Sequence, residues 1–230
     1  MNWKAKVRYL IPPSVLNEVL LAFPWLYRTT LIRYESNLAP HRGLNDLLTQ
    51  LDLTLHVAGN VVECGSSLCG TSVIVARHLR AKGIRKTVYA CDSFEGFDRA
   101  ELAKEQREGR TRISKRAFTI TSHRYVTRKI RRLGVEGLVV PVKGYFQQTL
   151  QTIEGGFCFA FVDCDLEEST FYCAETIWPR MPSGGRILFD DYASEMFQGA
   201  RLGVDRFLGV HEGEVAEHGM LSRLYFVCKK

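Results

Sequence analysis

The sequence predicts an α/β domain built on a mostly parallel sheet with helices on both faces. Three observations carry this. Short apolar runs of strand length recur from Val61 onward, each separated from the next by a stretch of helix length. Two glycines bracket the turn after the first run, and several runs end in carboxylates. At 230 residues, 46% of them hydrophobic, the chain has enough apolar mass for one such core.

Residues 1–56 read as an N-terminal helical segment packing on the core, and 57–230 as the ligand-binding domain. Tyr9 to Ile32 is rich in Leu, Phe, Trp and Tyr, but Pro12, Pro13, Glu18, Pro24 and Arg28 interrupt it, which argues against a membrane-spanning helix. Packing on the core, a membrane surface or a second copy of the chain would each suit it. Leu44 to Leu55 has apolar residues three and four apart, the spacing of an amphipathic helix. The expected strands are Val61–Cys64, Thr87–Cys91, Leu138–Val142, Phe157–Val162 and Ile187–Phe189. Between and after them, Thr71–Ala81, Ser122–Leu133, Phe146–Ile153, Ser169–Trp178 and Gly199–Leu208 read as helices. Glu214–Ala216 and Leu221–Val227 flank His218-Gly219 and read as an antiparallel hairpin. Asp98 to Arg116 has no apolar face wide enough to bury, so it reads as a solvated helix or a lid over the site.

The net charge of +6 is too small to name a partner. Arg124, Arg128, Lys129, Arg131 and Arg132 share one helix and read as a solvated face, so no nucleic acid is expected. The seven cysteines form no CxxC pair and several lie in apolar runs, which implies a reducing compartment and no zinc site. A basic n-region with an apolar h-region is lacking, so the expectation is a cytoplasmic protein.

Val61-Val-Glu-Cys-Gly-Ser-Ser-Leu-Cys-Gly-Thr-Ser72 places Gly65 and Gly70 in a strand-to-helix turn, where the backbone can approach a ligand at free helix N–H groups. The spacing nearly matches a dinucleotide fingerprint, but Ser67 replaces the glycine that admits a pyrophosphate. Glu63 could fix the loop or meet a ligand ammonium, and Ser72 closes the motif. The next strand ends in Asp92 with Ser93 beside it, where a carboxylate can accept from both ribose hydroxyls. Together these signals describe an adenosine-containing ligand.

Two further strands end in Asp163-Cys-Asp165 and Asp190-Asp191, and a doubly wound sheet brings both ends to one crevice. Acids that close raise one another's pKa unless a cation compensates, and oxygen ligands suit Mg²⁺. Capping of the following helices would account for one aspartate per loop.

With these residues in place the chain resembles the macrocin O-methyltransferase family. The resemblance rests on Val62-Glu-Cys-Gly65 with Gly70-Thr-Ser72, Asp92-Ser-Phe-Glu-Gly96, Lys143-Gly-Tyr-Phe146 with Thr149-Leu150, Asp163-Cys-Asp-Leu-Glu-Glu-Ser-Thr170, and Gly184-Gly185 through Asp190-Asp-Tyr192. It implies a Rossmann-like class I methyltransferase fold: a mostly parallel seven-stranded sheet with helices on both faces and a C-terminal antiparallel hairpin. It further implies S-adenosylmethionine as donor, bound by Glu63, Gly65, Ser67, Gly70, Ser72, Asp92 and Ser93. Mg²⁺ would be held by Asp163, Asp190 and Asp191. The acceptor would be a hydroxyl of a sugar or other small natural product, and self-association is common in the family. Asp165 or His123 would take the acceptor's proton, with Asp163 also counted as catalytic. Two residues depart from the family pattern: Cys69 stands at a usual glycine, and Glu167 at a usual tyrosine, where it would alter the substrate pocket. The rival readings are an NAD-dependent oxidoreductase, suggested by the near-fingerprint and Asp92, and a nucleotide- or RNA-binding module.

Overall fold

The computed structural model describes residues 36, 38, 43–119 and 122–230. Its strands are β1 Asn60–Cys64, β2 Val88–Asp92, β3 Val139–Lys143, β4 Phe157–Val162, β5 Arg186–Phe189, β6 Val215–Met220 and β7 Tyr225–Lys229. Its helices are α1 Leu44–Asp52, α2 Gly70–Ala81, α3 Arg99–Arg107, α4 His123–Arg132, α5 Phe146–Thr149, α6 Glu167–Ile177 and α7 Gln198–His211. Among the described residues one seven-stranded sheet forms, in the order β3-β2-β1-β4-β5-β7-β6. Strands β1 to β5 are parallel, and β7 pairs antiparallel with β5 and β6. The expected parallel sheet with its terminal hairpin is present. The order reverses between β1 and β4, which opens a crevice at their carboxyl ends.

The central strands are apolar throughout because both faces are covered. Val61, Phe159 and Leu188 face α1, α2 and α4, meeting Leu47, Leu79 and Ile130. Val62, Ala160 and Ile187 face α6 and α7, meeting Cys173, Ile177, Val204 and Phe207. Cys158 is an extra residue where the β1–β4 register shifts, so Phe157 and Ala160 share a face although they are three apart. Helices α6 and α7 approach closely because residue 203 is glycine: a Cβ there would lie 2.7 Å from the Glu167 carbonyl oxygen.

Three expectations need correction. The hairpin does not turn at His218-Gly219, which lie within β6; it turns at Leu221–Leu224, closed by Leu221 N–H donating to Leu224 O at 2.8 Å. The Asp98–Arg116 segment is not wholly solvated, since α3 buries Leu102 and Glu105. The basic helix α4 is not simply a solvated face either. Arg124, Arg131 and Arg132 are exposed, but Lys129 is fully buried and donates to Leu68 O, beneath the turn after β1. A helix of period 3.6 places residue 129 on the stripe of Tyr125, Val126 and Ile130, and a lysine stem is apolar enough to pack there.

The aromatic run Tyr9–Ile32 lies outside the described residues, as does most of the segment 1–56. Its described part includes Ser36, whose Oγ lies 2.7 Å from Thr71 Oγ1 at the start of α2. No helix among the described residues is long and apolar enough to cross a membrane.

Lys129→Met keeps most of the stem but removes the donor to the part-buried Leu68 carbonyl. Urea unfolding is expected to show a loss of about 1–3 kcal/mol, whereas Arg131→Met on the exposed face changes stability by less than about 0.5 kcal/mol.

Candidate active site

The turn after β1 is a chain of left-handed residues: Gly65, Ser67 and Cys69 have φ of 88°, 44° and 55°. Glycine suits such angles, and the serine and cysteine there cost about 1–2 kcal/mol each. What holds them is hydrogen bonding. Ser67 N–H donates to Asp92 Oδ2 at 2.8 Å, and Cys69 N–H to Ser66 O at 2.6 Å. Asp92 Oδ1 accepts from Phe94 N–H at 2.6 Å, so this carboxylate ties the ends of β1 and β2 together. Gly65 has a second reason to be glycine. A Cβ on it would lie 1.8 Å from the carbonyl oxygen of Asp163 on the neighbouring β4 end.

Glu63 is buried at the end of β1 and accepts from Ser72 Oγ. Burial pushes its carboxyl up to about 8, the Ser72 hydrogen bond works the other way, and the Asp92 charge adds to the rise. Ser93 turns inward, donating to Gly96 O at 2.6 Å.

At the ends of β4 and β5, one carboxylate oxygen each from Asp163, Asp165 and Asp191 lies within 4.8 Å of the others. Asp165 and Asp191 both adopt positive φ, 64° and 57°, which turns their side chains back over the strand ends. Burial drives the Asp165 carboxyl well above its ordinary range, reinforced by the charges of Asp163, Asp191 and Asp190. Asp190 is turned elsewhere. It is buried and accepts from Arg223 Nε at 2.7 Å and Nη2 at 2.5 Å. Burial raises the Asp190 carboxyl, with the Arg223 bond opposing. The sequence grouped Asp163, Asp190 and Asp191; the structure gathers Asp163, Asp191 and Asp165, with Asp190 beside them in an ion pair. Arg223 sits in the hairpin turn, a position that gives no signal in the sequence until the turn is known.

These groups border one cavity of about 620 Å³. Glu63, Gly65, Ser67, Asp92 and Ser93 line one side, and Asp163, Asp165 and Asp191 another. Gly70, Ser72, His123 and Asp190 are not on its wall. Gly70 opens α2, Ser72 holds Glu63, and the His123 ring packs on Phe94 with centroids 5.5 Å apart. Phe97, Phe118 and Phe197 also line the cavity, Phe97 meeting Phe118 edge-on at 5.2 Å. The sequence reading missed these aromatics because they come from loops, where no periodicity marks an inward face. Glu167 is not on the wall either: its carboxylate pairs with Arg110, beyond α3.

A profile of the macrocin O-methyltransferase family (TylF) matches residues 42–215, more than half of the chain. The chain belongs to this family. As a member of the macrocin O-methyltransferase family, it is 32% identical over 142 residues to 8-demethyl-8-(2,3-dimethoxy-alpha-L-rhamnosyl)-tetracenomycin-C 4'-O-methyltransferase of Streptomyces olivaceus. Over 143 residues it is 27% identical to demethyldecarbamoylnovobiocin O-methyltransferase of Streptomyces niveus. Each alignment covers 60% of this chain and 54% of the relative, so the chain spans about half the length of the curated relatives it matches. Among solved structures, the O-methyltransferase NovP is similar with a TM-score of 0.68 at 22% identity, covering 81% of this chain and 79% of NovP. The calicheamicin methyltransferase CalS11 has a TM-score of 0.69 at 16% identity, covering 94% and 91%. The fold is that of the class I methyltransferases, to which this macrocin O-methyltransferase family chain adds its C-terminal hairpin in the expected place.

Gly65→Ala is expected to cost at least about 4 kcal/mol, read by urea unfolding or by loss of soluble protein, because β4 has no room to withdraw. Glu63 makes a pH prediction. Between its unfolded value of 4.5 and its folded value of about 8 it is protonated only when folded, so its stabilisation is full below that window and is lost as pH rises through it. Glu63→Gln should flatten the fall of unfolding free energy across that window by up to about 1.4 kcal/mol per pH unit, measured by urea titrations at a series of pH values.

Proposed function

We propose that this protein is an S-adenosylmethionine-dependent O-methyltransferase acting on a hydroxyl of a sugar or other small natural product. The observation that carries the reading is one cavity lined both by residues of the β1 and β2 ends and by three clustered carboxylates. The family membership supports it, as do two curated relatives named as O-methyltransferases. The printed name of the first includes a rhamnosyl group, which favours a sugar hydroxyl as acceptor.

The donor set fits a hard divalent cation. Three carboxylate oxygens converge and the Asp165 carboxyl is pushed up by burial and like charge. Arg223 Nη2 lies 3.8 Å from the Asp191 carboxylate. Oxygen-only ligands at this spacing suit Mg²⁺ rather than a soft metal. Asp163 and Asp191 would hold it in either grouping, joined by Asp165 as placed, or by Asp190 were it released from Arg223. When bound, the ion would supply a positive charge that lowers the pKa of an acceptor hydroxyl.

The chain's own residues do the remaining work. Asp92 offers carboxylate oxygens to the ribose, and Glu63, once ionised, offers a counter-charge to the donor's ammonium. The backbone around Ser67 sets the donor's orientation. With Asp163, Asp190 and Asp191 as the ligand set, Asp165 would receive the acceptor proton as the O–CH₃ bond formed and the S–CH₃ bond broke, the bonding pair leaving with sulfur. Phe97, Phe118 and Phe197 line the cavity and would offer apolar surface to a bound ligand. Catalysis of this kind is chiefly in-line positioning of oxygen against the methyl group.

Calorimetric titration with S-adenosylmethionine and with NAD, each with and without Mg²⁺, tests the reading. Micromolar binding of the former and none of NAD is expected; NAD binding alone would reverse it in favour of an oxidoreductase. Asp163→Asn is expected to lower methyl transfer to a sugar acceptor by at least about 100-fold while leaving the affinity for S-adenosylhomocysteine within about threefold, followed by acceptor methylation and calorimetry.

A further inference from the structure

Helix α6 follows the Asp163–Asp165 strand end directly, and its first three residues are Glu167, Glu168 and Ser169. Its N-cap residue is Leu166, which has no side-chain oxygen to satisfy the free N–H groups of the first turn. Those donors are satisfied from another helix. Ser169 N–H donates to Glu101 Oε1 at 2.8 Å, and Ser169 Oγ to Glu101 Oε2 at 2.5 Å. Glu167 N–H donates to Glu105 Oε1 at 3.3 Å. Both carboxylates belong to α3, in the segment that also contributes Phe97, Ile113 and Phe118 to the cavity wall.

The attachment is reinforced by charge and by shape. Lys104 Nζ lies 3.0 Å from Glu168 Oε1, and Arg110 pairs with Glu167. Glu105 is 1% exposed, and its second oxygen packs against Gly199, where a Cβ would come within 2.4 Å. That oxygen has no hydrogen-bond partner among the described residues. Glu105 is thus enclosed between the start of α6 and the start of α7.

We propose that Glu101 and Glu105 are positioning residues for the carboxylate cluster: by capping α6 from α3, they fix the Asp163–Leu166 loop and couple its geometry to docking of the cavity wall. The loop is held at its other end by Asp163 N–H donating to Cys64 O at 2.8 Å. Between these two anchors lies Asp165, in the left-handed conformation with φ 64°. Loss of the trans cap frees one anchor and lets that residue relax. The consequence for a bound cation rests on the metal reading of the cluster given above.

The test is Glu101→Ala in the full chain, with Glu101→Gln as the conservative variant, since glutamine keeps an acceptor oxygen for Ser169. Hydrogen exchange reads the coupling itself, and Mn²⁺ titration of the protein saturated with S-adenosylhomocysteine reads its consequence. In Glu101→Ala, amides of residues 164–170 are expected to exchange at least about tenfold faster while those of β1 and β4 keep their protection. Mn²⁺ affinity is expected to fall at least about tenfold, with S-adenosylhomocysteine affinity within about threefold of wild type. Glu101→Gln recovers most of both losses. Unchanged exchange at 164–170 overturns the coupling, and faster exchange with unchanged Mn²⁺ affinity overturns the positioning role. Failure of the wild-type protein to bind Mn²⁺ overturns the metal reading instead, and the exchange result still decides the coupling. If Glu101→Ala does not fold, Ser169→Ala, which removes one of the two bonds, is held to the same outcomes.

Discussion

The close approach of β1 and β4 at their carboxyl ends sets the layout of everything above them. The Asp163 carbonyl occupies the space where a side chain on residue 65 would begin. Because that space is taken, the β1 turn must leave through a left-handed glycine and the β4 end must stay in register with it. The reversal of strand order at the same place then splays the flanking loops apart. The strand order thus sets where the crevice opens, and the close approach of residue 65 to Asp163 sets how near its two walls begin.

Electrostatics at the crevice follow from burial rather than from the number of acids. Glu63, Asp92 and Asp165 all have carboxyls shifted upward, and in each burial is the leading cause. Neighbouring groups then set them apart. Asp92 is offset by two backbone N–H donors, and Glu63 by a serine hydroxyl. Asp165 has like charges around it instead. Arg223 compensates Asp190 and reaches Asp191 only at 3.8 Å. Asp163, Asp165 and Asp191 are thus gathered with like charges as close neighbours, and Asp165, the buried one of the three, is driven upward.

The parallel sheet was legible because buried strands leave continuous apolar runs, and Phe157–Val162 is bounded in the structure as it is in the sequence. The acidic strand ends were legible for the same reason, as charges terminating apolar runs. What could not be read was side-chain direction. Adjacent aspartates look alike in sequence, yet the left-handed backbone at Asp191 sends it toward the cluster while Asp190 turns to Arg223. Lys129 counted as one more surface charge until packing placed it in the core. Glu101 and Glu105 are ordinary residues of a polar helix; their role depends on a contact across more than sixty positions, which no local pattern records.

Ser67 and Cys69 hold backbone angles that their side chains resist, kept there by hydrogen bonds to the Asp92 carboxylate and the Ser66 carbonyl. The conformational entropy of that turn has already been surrendered during folding. Were a ligand to bind at this turn, it would meet amide groups whose directions the fold already sets, and little of its binding free energy would go to ordering them.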